Sequence, residues 1–315
     1  MTAPSSSDLP GGRPVAAPAI RIERLAVIGL GLIGGSFALA LRRAGAVGRI
    51  IGAGRSAKSA AEALEHGLVD EIAAGPGEAV EGADFVLVAT PVGQMEAVFA
   101  AIAPRLSPQA VVTDGGSTKR DVVAAARRAL GPALARFVPG HPVAGAERSG
   151  PSAAQAGLYE GRRVVLTPLP ENRAESVERV AAAWRACGAR VHSMDTAEHD
   201  RVLAAVSHLP HVLAYALVET VISDPRAELL WEHAAGGFRD FTRIASSHPE
   251  MWRDICLANR DLLVEEIDRY REQLERLRGM IDRGEAAALE DLFRRSASAR
   301  NAWLERFNAR ARNSA

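Results

Sequence analysis

One histidine of this chain stands where a purely structural role would be unusual. His141 lies between Gly140 and Pro142, three positions after the short apolar run Phe137-Val138. A histidine placed at the end of a strand between glycine and proline is poorly suited to filling a core. Because its ordinary pKa lies near neutrality, an imidazole suits a general base that takes a proton from a hydroxyl group. We therefore interpret His141 as the candidate catalytic base.

A glycine-rich segment near the N-terminus has the spacing of a phosphate-binding turn. Residues 29–34 read G-x-G-x-x-G, between the apolar run 25–28 and a helical pattern that starts at Ser36. The first glycine allows a tight turn, the second lets the backbone approach a pyrophosphate, and the third lets helix and strand pack closely. Free N–H groups at the helix N-terminus would add a partial positive charge, whereas the alternative is a tight turn without a ligand. The residues predicted to bind a dinucleotide here are Gly29, Leu30, Gly31, Ile33 and Gly34.

The residues that follow the second predicted strand bear on the choice of dinucleotide. NAD sites usually place an acidic side chain about 20 residues beyond the glycine turn, where it binds the ribose 2′-hydroxyl. Here the segment 52–56 has no carboxylate and ends in Arg55-Ser56. Both side chains could hold a 2′-phosphate through charge-assisted hydrogen bonds. The sequence thus favours NADP, with NAD or use of both left open.

These candidate residues need a scaffold in which strands alternate with helices. Such alternation predicts a mostly parallel, doubly wound α/β sheet of the Rossmann type, because parallel strands require helical crossovers. Sheets of this kind bind ligands at the carboxyl ends of their strands, where Thr90-Pro91, residues 114–119 and residues 140–147 are predicted to lie. Thr90 and Pro91 are therefore added to the predicted cofactor site. The predicted strands cover residues 25–28, 49–53, 84–89, 110–114, 137–139, 163–167 and 190–192.

The chain divides into three predicted regions. Residues 1–22 are rich in Pro, Ser, Gly and Ala and predict a disordered tail, and residues 23–192 form the Rossmann domain. Residues 193–315 read as helices only. Within them, Leu263, Ile267, Tyr270, Leu274, Leu277 and Ile281 are spaced 4-3-4-3-4, as in a heptad stripe. This stripe could pack inside the domain or form the seam of a dimer.

Composition excludes several classes of function. Lys plus Arg and Asp plus Glu are equal at 38 each, so no net charge attracts nucleic acid or an anionic membrane. The uncharged stretch 25–41 is rich in glycine and shorter than the about 20 residues that span a bilayer. Cys187 and Cys256 are isolated, which fits free thiols in a reducing cytoplasm. No cluster has the spacing of a metal site.

Five segments together are similar to a known family. GLGLIGGS, the D-x-x-S-x-K run from Asp114 to Lys119, GHPVAGAE, SHLPH and GGFRDFTRIASSHPEMW resemble the prephenate and arogenate dehydrogenases, in that family's order over roughly residues 25–310. The resemblance implies a Rossmann-type domain followed by a helical dimerisation domain. It also implies oxidative decarboxylation of prephenate or arogenate with hydride transfer to NAD(P), on the route to tyrosine.

The resemblance implies a role for each matching residue. His141 would accept the proton of the ring hydroxyl, Ser117 would orient it beside the nicotinamide, and Arg243 would hold the ring carboxylate. A guanidinium suits that last task because it is always charged and binds bidentately. Each role keeps a structural alternative, such as a helix-capping serine, a surface arginine or a core tryptophan. The other residues implied at the substrate are His208, His211, Arg239, Glu147 and Trp252.

Two residues depart from the family's pattern, and two alternative functions remain open. Arg239 stands where some relatives carry lysine, and Ala146 where some carry threonine, which leaves prephenate and arogenate as alternative substrates. A β-hydroxyacid dehydrogenase would use a lysine in its helical domain, but the only lysines are Lys58 and Lys119. A dinucleotide sensor without catalysis is the other alternative, and it would have no need of His141, His211 and Arg243 together.

Overall fold

The computed structural model describes residues 20–145 and 149–312, and its first layer is a six-stranded parallel sheet. The strand order is β3-β2-β1-β4-β5-β6, and every neighbouring pair is parallel. The direction of winding reverses between β1 and β4, which opens a crevice at their carboxyl ends. The predicted doubly wound, mostly parallel sheet is confirmed. Its strands are β1 (Ile22–Ile28), β2 (Val47–Ala53), β3 (Glu71–Ile72), β4 (Phe85–Val88), β5 (Val111–Asp114) and β6 (Phe137–Val138).

Helices cover both faces of this sheet, which explains why its strands read as continuous apolar runs. In β1, Leu25 and Val27 belong to one hydrophobic cluster, while Ala26 and Ile28 belong to a second cluster on the opposite face. The helices of this half are α1 (Leu32–Arg43), α2 (Ala57–Glu65), α3 (Pro76–Ala79), α4 (Met95–Ile102), α5 (Arg120–Ala129) and α6 (Ala174–Ala186).

The prediction that residues 1–22 form a disordered tail is wrong at the C-terminal end of this segment. Ile22 begins β1 and is fully buried, and Ile20 is also buried. The cause is that the apolar residues Ile20 and Ile22 alternate with arginine and glutamate, so the strand starts before its uncharged part. Residues 1–19 lie outside the described residues.

Three further strands form a separate sheet rather than extending the first. In the order β7-β8-β9, β7 (Gly140–Val143) pairs antiparallel with β8 (Arg163–Leu166), and β8 pairs parallel with β9 (Arg190–Ser193). His141 is therefore inside β7, opposite Val165, and not beyond a strand end as the sequence suggested. Pro139 lacks an N–H group, so the ladder of β6 ends there and the chain pairs next with β8.

The remaining described residues are helical. A 27-residue helix, Thr196–Ile222, consists of α7 (Thr196–Leu203), a π-helical turn (Ala204–His208) and α8 (Leu209–Ile222). Among the described residues it is the one helix long and apolar enough to cross a membrane by length and composition, yet it carries His199, Asp200 and His208 fully or almost fully buried. The other helices are α9 (Ala227–Glu232), α10 (Gly236–Thr242), α11 (Pro249–Ala258), α12 (Arg260–Asp282) and α13 (Ala286–Arg312).

Candidate active site

The glycine turn between β1 and α1 has the shape that a dinucleotide requires. Gly29 has φ +100°, and a Cβ on it would lie 2.5 Å from the carbonyl oxygen of Ala89. A Cβ on Gly34 would lie 2.0 Å from the Gly29 oxygen, so this glycine lets turn and helix pack together. Nothing lies within 4 Å of a Cβ on Gly31, and no side chain caps α1. Open space and free N–H groups thus coincide where a pyrophosphate would bind.

The other residues predicted at the cofactor differ in burial and in hydrogen bonding. The Leu30 side chain is 3 % exposed and belongs to the hydrophobic core, so any contact of Leu30 with the cofactor would come from its backbone in the turn. Ile33 is half-buried, and its carbonyl accepts a 2.6 Å hydrogen bond from the Tyr159 hydroxyl. The Thr90 hydroxyl, just before Pro91, is buried without a hydrogen-bond partner among the described residues. An unpaired hydroxyl at this edge fits a polar ligand.

Arg55 and Ser56 follow β2, as expected, but each already has a partner. The Ser56 hydroxyl accepts a 3.1 Å hydrogen bond from the Ser59 N–H and caps α2. The Arg55 guanidinium donates to both carboxylate oxygens of Glu250, at 2.9 and 3.0 Å. Glu250 is the second residue of α11 in the helical half, and the Arg55 hydrogen bond is the main cause that lowers the pKa of its carboxyl. Sequence reasoning did not identify Glu250.

The candidate base is held by a second histidine. His141 Nδ1 lies 2.8 Å from His199 Nε2, and His199 Nδ1 lies 2.8 Å from Asp200 Oδ1. His141 is 8 % exposed, while His199 and Asp200 are completely buried. β7 supplies the first histidine and α7 the other two residues, so the chain His141–His199–Asp200 joins the two halves of the protein.

Asp200 is fixed in place as an anion. Its carboxylate accepts 2.8 Å hydrogen bonds from the backbone N–H groups of Lys119 and Arg120 at the start of α5. Burial alone would raise the pKa of Asp200, but the hydrogen bonds from His199, Arg120 and Lys119 hold it below the ordinary value. The Asn259 amide donates a 2.8 Å hydrogen bond to the Asp200 carbonyl, which fixes the backbone as well.

Burial keeps the candidate base unprotonated. The pKa of His141 lies well below its usual value, first because of burial and then because of the positive charges that His199, Lys119 and His208 carry when protonated. A neutral imidazole is the form that can accept a proton. His141 is therefore ready to act as a base at neutral pH.

A buried ion pair positions the strand that carries His141. The Lys119 ammonium and the Asp114 carboxylate are fully buried and bonded to each other. Lys119 Nζ also donates to the Gly140 carbonyl at 2.8 Å, and Asp114 Oδ1 accepts from the Gly140 N–H at 3.0 Å. Both backbone groups of the residue before His141 are thereby held. These contacts explain why the D-x-x-S-x-K run begins with Asp114 and ends with Lys119.

Ser117, within that run, lies in the loop between β5 and α5 and is half-buried. Its hydroxyl makes no hydrogen bond to His141, whose ring is held instead by His199.

His208 is 1 % exposed, and burial lowers its pKa to about 4 although the Asp200 carboxylate acts in the opposite direction. Its Nδ1 lies 3.2 Å from the Asn259 amide nitrogen, and its Nε2 has no partner among the described residues.

His211 and Trp252 are brought together from α8 and α11. Their rings stack with centroids 3.7 Å apart and an interplanar angle of 20°. His211 Nδ1 lies 2.9 Å from the Ser207 carbonyl, which leaves Nε2 as the outward nitrogen. Burial, and then the Arg243 charge, lower the pKa of His211. Trp252 is 7 % exposed, and its indole N–H has no partner among the described residues.

The two arginines predicted at the substrate line the same cavity of about 410 Å³. Arg239 and Arg243 lie on its wall, and Arg239 pairs with Asp240 at 2.9 Å. The rest of the lining is Trp231, Ala234, Ala235, Phe238, Thr242 and Ser246. Glu147, the last residue predicted at the substrate, lies outside the described residues. No group of three metal-binding side chains is found within 20–145 and 149–312.

Comparisons with known proteins match both halves of the chain. Residues 37–193 match the family model of the prephenate dehydrogenase nucleotide-binding domain, and residues 195–295 that of the prephenate dehydrogenase dimerization domain. Prephenate dehydrogenase of Bacillus subtilis is 38% identical over 86% of this chain and 73% of its own length. Cyclohexadienyl dehydrogenase of Zymomonas mobilis is 36% identical over 88% of this chain and 95% of its own length.

Solved structures lead to the same family. The crystal structure of prephenate dehydrogenase from Aquifex aeolicus, with hydroxyphenyl propionate and NAD+, has a TM-score of 0.82 and 37% identity and covers 90% of this chain and 99% of that one. Arogenate dehydrogenase from Synechocystis has a TM-score of 0.73 and 28% identity over 89% of this chain and 99% of its own. The chain described here belongs to the prephenate dehydrogenase family.

Proposed function

We propose that this protein oxidises and decarboxylates prephenate, or arogenate, with transfer of a hydride to a nicotinamide dinucleotide, in tyrosine biosynthesis. The observation that carries the proposal is the chain His141–His199–Asp200, which holds a neutral imidazole by one nitrogen and leaves the other for a substrate. Gly115 lies between the glycine turn and the residue after His141, since a Cβ on it would be 2.9 Å from Ile33 Cγ2 and 3.9 Å from Pro142 Cδ. This proximity to a turn suited to a pyrophosphate supports hydride chemistry. The product is 4-hydroxyphenylpyruvate from prephenate, or tyrosine from arogenate.

In this proposal the protein supplies positioning and proton transfer. The glycine turn and Thr90 would hold the dinucleotide, whose nicotinamide would supply the acceptor for the hydride of C4. His141 Nε2 takes the proton of the C4 hydroxyl as C4 becomes a carbonyl carbon. The C1 carboxylate then leaves as CO2, its bonding electrons enter the ring, and the oxygen regains a proton as the ring becomes aromatic. Ser117 lies in the loop that would face both nicotinamide and base.

The substrate is held by groups from the helical half. Arg243 binds the ring carboxylate bidentately, and His211, stacked on Trp252, faces the side chain. The unpaired nitrogens of His208 and Trp252 are buried polar atoms that substrate oxygens would satisfy. Arg239 and Glu147 complete the set as residues that select the side chain.

For the cofactor we propose that NADP is favoured and NAD is also accepted. No carboxylate follows β2 directly, and Arg55 stands there instead. A 2′-phosphate would share Arg55 with Glu250, so this carboxylate limits the preference for NADP. The selection therefore depends on a residue of the helical half.

We further propose a cytoplasmic homodimer formed through the helical half. The N-terminal part of the heptad stripe is buried, with Leu263 4 % exposed, whereas Leu274 and Ile281 are 48 % and 65 % exposed. On α13, Phe293 and Trp303 are 56 % and 51 % exposed. Large exposed apolar side chains on neighbouring helices are what a second copy would cover.

The test is the absorbance of reduced nicotinamide with each pairing of prephenate or arogenate with NAD or NADP. Turnover in any pairing is expected, and the ranking of the four identifies substrate and cofactor together. Four flat traces, with dinucleotide binding detected by calorimetry, would instead support the sensor without catalysis.

A further inference from the structure

We infer that His199 and Asp200 are positioning residues that fix the tautomer of His141 and share the proton it receives. The inference rests on the proposed function, because it concerns the base that acts there. It goes beyond that function by assigning roles to two buried residues that touch no substrate. The carrying observation is the pair of 2.8 Å contacts that link the three side chains in series.

The direction of the hydrogen bonds along His141–His199–Asp200 follows from the state of Asp200. Asp200 is held as a carboxylate by two backbone N–H groups, so it can only accept from His199. His199 must then carry its proton on Nδ1, which leaves Nε2 as a bare acceptor. His141 must in turn donate to it from Nδ1. The free nitrogen of His141, Nε2, is thereby left with its lone pair, as a general base requires.

The same chain receives the proton. When His141 Nε2 takes the hydroxyl proton, its ring becomes an imidazolium that still donates from Nδ1 to His199. The Nδ1 proton can shift onto His199 Nε2, which places the positive charge beside the Asp200 carboxylate. The shift reverses when the proton returns to the product oxygen. No proton enters or leaves the site over the cycle, and no further reactant is needed.

The surroundings make this assistance necessary. The groups that face the two histidines are Lys119 and Asp114 behind β7, His208 from the π-helical turn, and Asp200 with Arg120 at its far side. Lys119 is bonded to Asp114, and Arg120 is bonded to Asp261. Asp200 is thus the anion linked to the base, and the link passes through His199.

The first experiment reads the tautomer without any turnover. The protein is labelled with 15N-histidine, and the two-bond correlations of the imidazole ring protons are recorded at neutral pH. His141→Asn identifies the His141 signals among the eight histidines. We expect a protonated Nδ1 and a bare Nε2 in His141, and the same pattern in His199. The opposite tautomer in His141 would overturn the inference even if the enzyme is active.

The second experiment compares two variants at position 199. In His199→Asn the amide can still donate to Asp200, but nothing reaches His141 Nδ1. In His199→Gln the longer side chain can place an oxygen near the position of Nε2 and accept from His141. We expect kcat to fall about 100-fold in His199→Asn but only about tenfold in His199→Gln, with little change in KM in either variant.

The pH profile separates this role from a structural one. A protonated His199 lowers the pKa of His141, but the neutral His199 of this chain accepts the Nδ1–H and stabilises the His141 imidazolium. Without that acceptor the imidazolium is less stable, so the acid limb of kcat/KM in His199→Asn should move to lower pH. His66→Asn, at the exposed end of α2, is the control and should change neither limb nor rate. Equal rates for the Asn and Gln variants, or a wild-type acid limb in the Asn variant, would overturn the inference. A wild-type enzyme inactive on all four pairings, with the expected tautomer present, would refute only the proposed function.

Discussion

Arg55 and Glu250 are 195 positions apart in the chain, yet the guanidinium of one donates to both carboxylate oxygens of the other. The pair links the loop after β2 to α11, across the edge of the predicted cofactor site. Because a 2′-phosphate and the Glu250 carboxylate would compete for the same guanidinium, we expect the pair to influence the choice between NADP and NAD.

We predict that Glu250→Gln raises the ratio of kcat/KM for NADP over NAD, and that Arg55→Ala lowers it. A hydrogen bond to a charged group contributes about 1.5–3 kcal/mol, so each ratio should change roughly tenfold or more. Steady-state kinetics with both cofactors measure it. Arg49→Ala, which removes the exposed pair with Glu71, is the matched control and should leave the ratio unchanged. Equal ratios in all three variants would remove Arg55 from the cofactor site.

His141→Asn should cut turnover about 100-fold or more, the usual scale of general base catalysis, while dinucleotide affinity is retained. The Asn amide nitrogen can occupy the position of Nδ1 and still donate toward His199, so folding should survive. Stopped-flow absorbance and calorimetric titration with the cofactor measure the two properties. Near-normal turnover would contradict the role given to His141.

Two glycines of the cofactor turn should respond differently to alanine. Gly31→Ala meets no atom within 4 Å, so the melting temperature should stay constant while the KM for the cofactor rises about tenfold, because the methyl group occupies pyrophosphate space. Gly34→Ala would place its Cβ 2.0 Å from the Gly29 oxygen, so it should lower the stability by about 1–3 kcal/mol. Thermal unfolding and cofactor kinetics of both variants test the difference. A stable Gly34→Ala protein would contradict the close packing.

The buried His208 should make stability depend on pH. Its pKa is lowered from 6.5 to about 4 in the folded protein, so below pH 6.5 the unfolded chain binds a proton that the folded one does not. Stability is therefore complete above pH 6.5 and is lost as the pH falls toward 4, by up to about 3 kcal/mol from this residue. Denaturant unfolding across this range, compared with His208→Gln, measures the slope. An equal slope in the variant would exclude His208 as its source.

The exposed end of the heptad stripe should be needed for assembly. Leu274→Glu and Ile281→Glu place charges in a seam that would be apolar in a dimer, so the protein should become a monomer in light scattering. Leu64→Glu is the matched control, because Leu64 is 49 % exposed on α2, far from the stripe in sequence. Loss of the dimer in the control, or its persistence in the stripe variants, would contradict the proposed seam.

The sequence was informative wherever a signal is local. The apolar runs of β1 and β4 predict strands because both faces of the sheet are covered, and Gly29 and Gly34 predict the turn because a side chain cannot fit there. The parallel sheet follows from the alternation of strands with helices. These features depend on neighbours within about one supersecondary unit, which a single sequence can show.

Features that depend on distant pairs could not be predicted. His199 and Asp200 stand in a polar helical segment, and only the contact with His141, 58 positions away, reveals their part in the site. Glu250 had no local pattern that pointed to Arg55. The separate sheet of β7, β8 and β9 was missed because its strands have the same apolar composition as those of the first sheet.

The π-helical turn at Ala204–His208 restricts which changes of length this part of the sequence can accept. Successive residues of an α-helix advance by about 100°, so His199 and His208 would fall on opposite sides of an uninterrupted helix. The wider turn takes up one more residue and brings the two to about 80° apart, which lets Asn259 reach both the Asp200 carbonyl and His208. Loss of a single codon within this turn would give a more regular helix with the wrong phase. We therefore expect this turn to tolerate substitutions better than a change in its length.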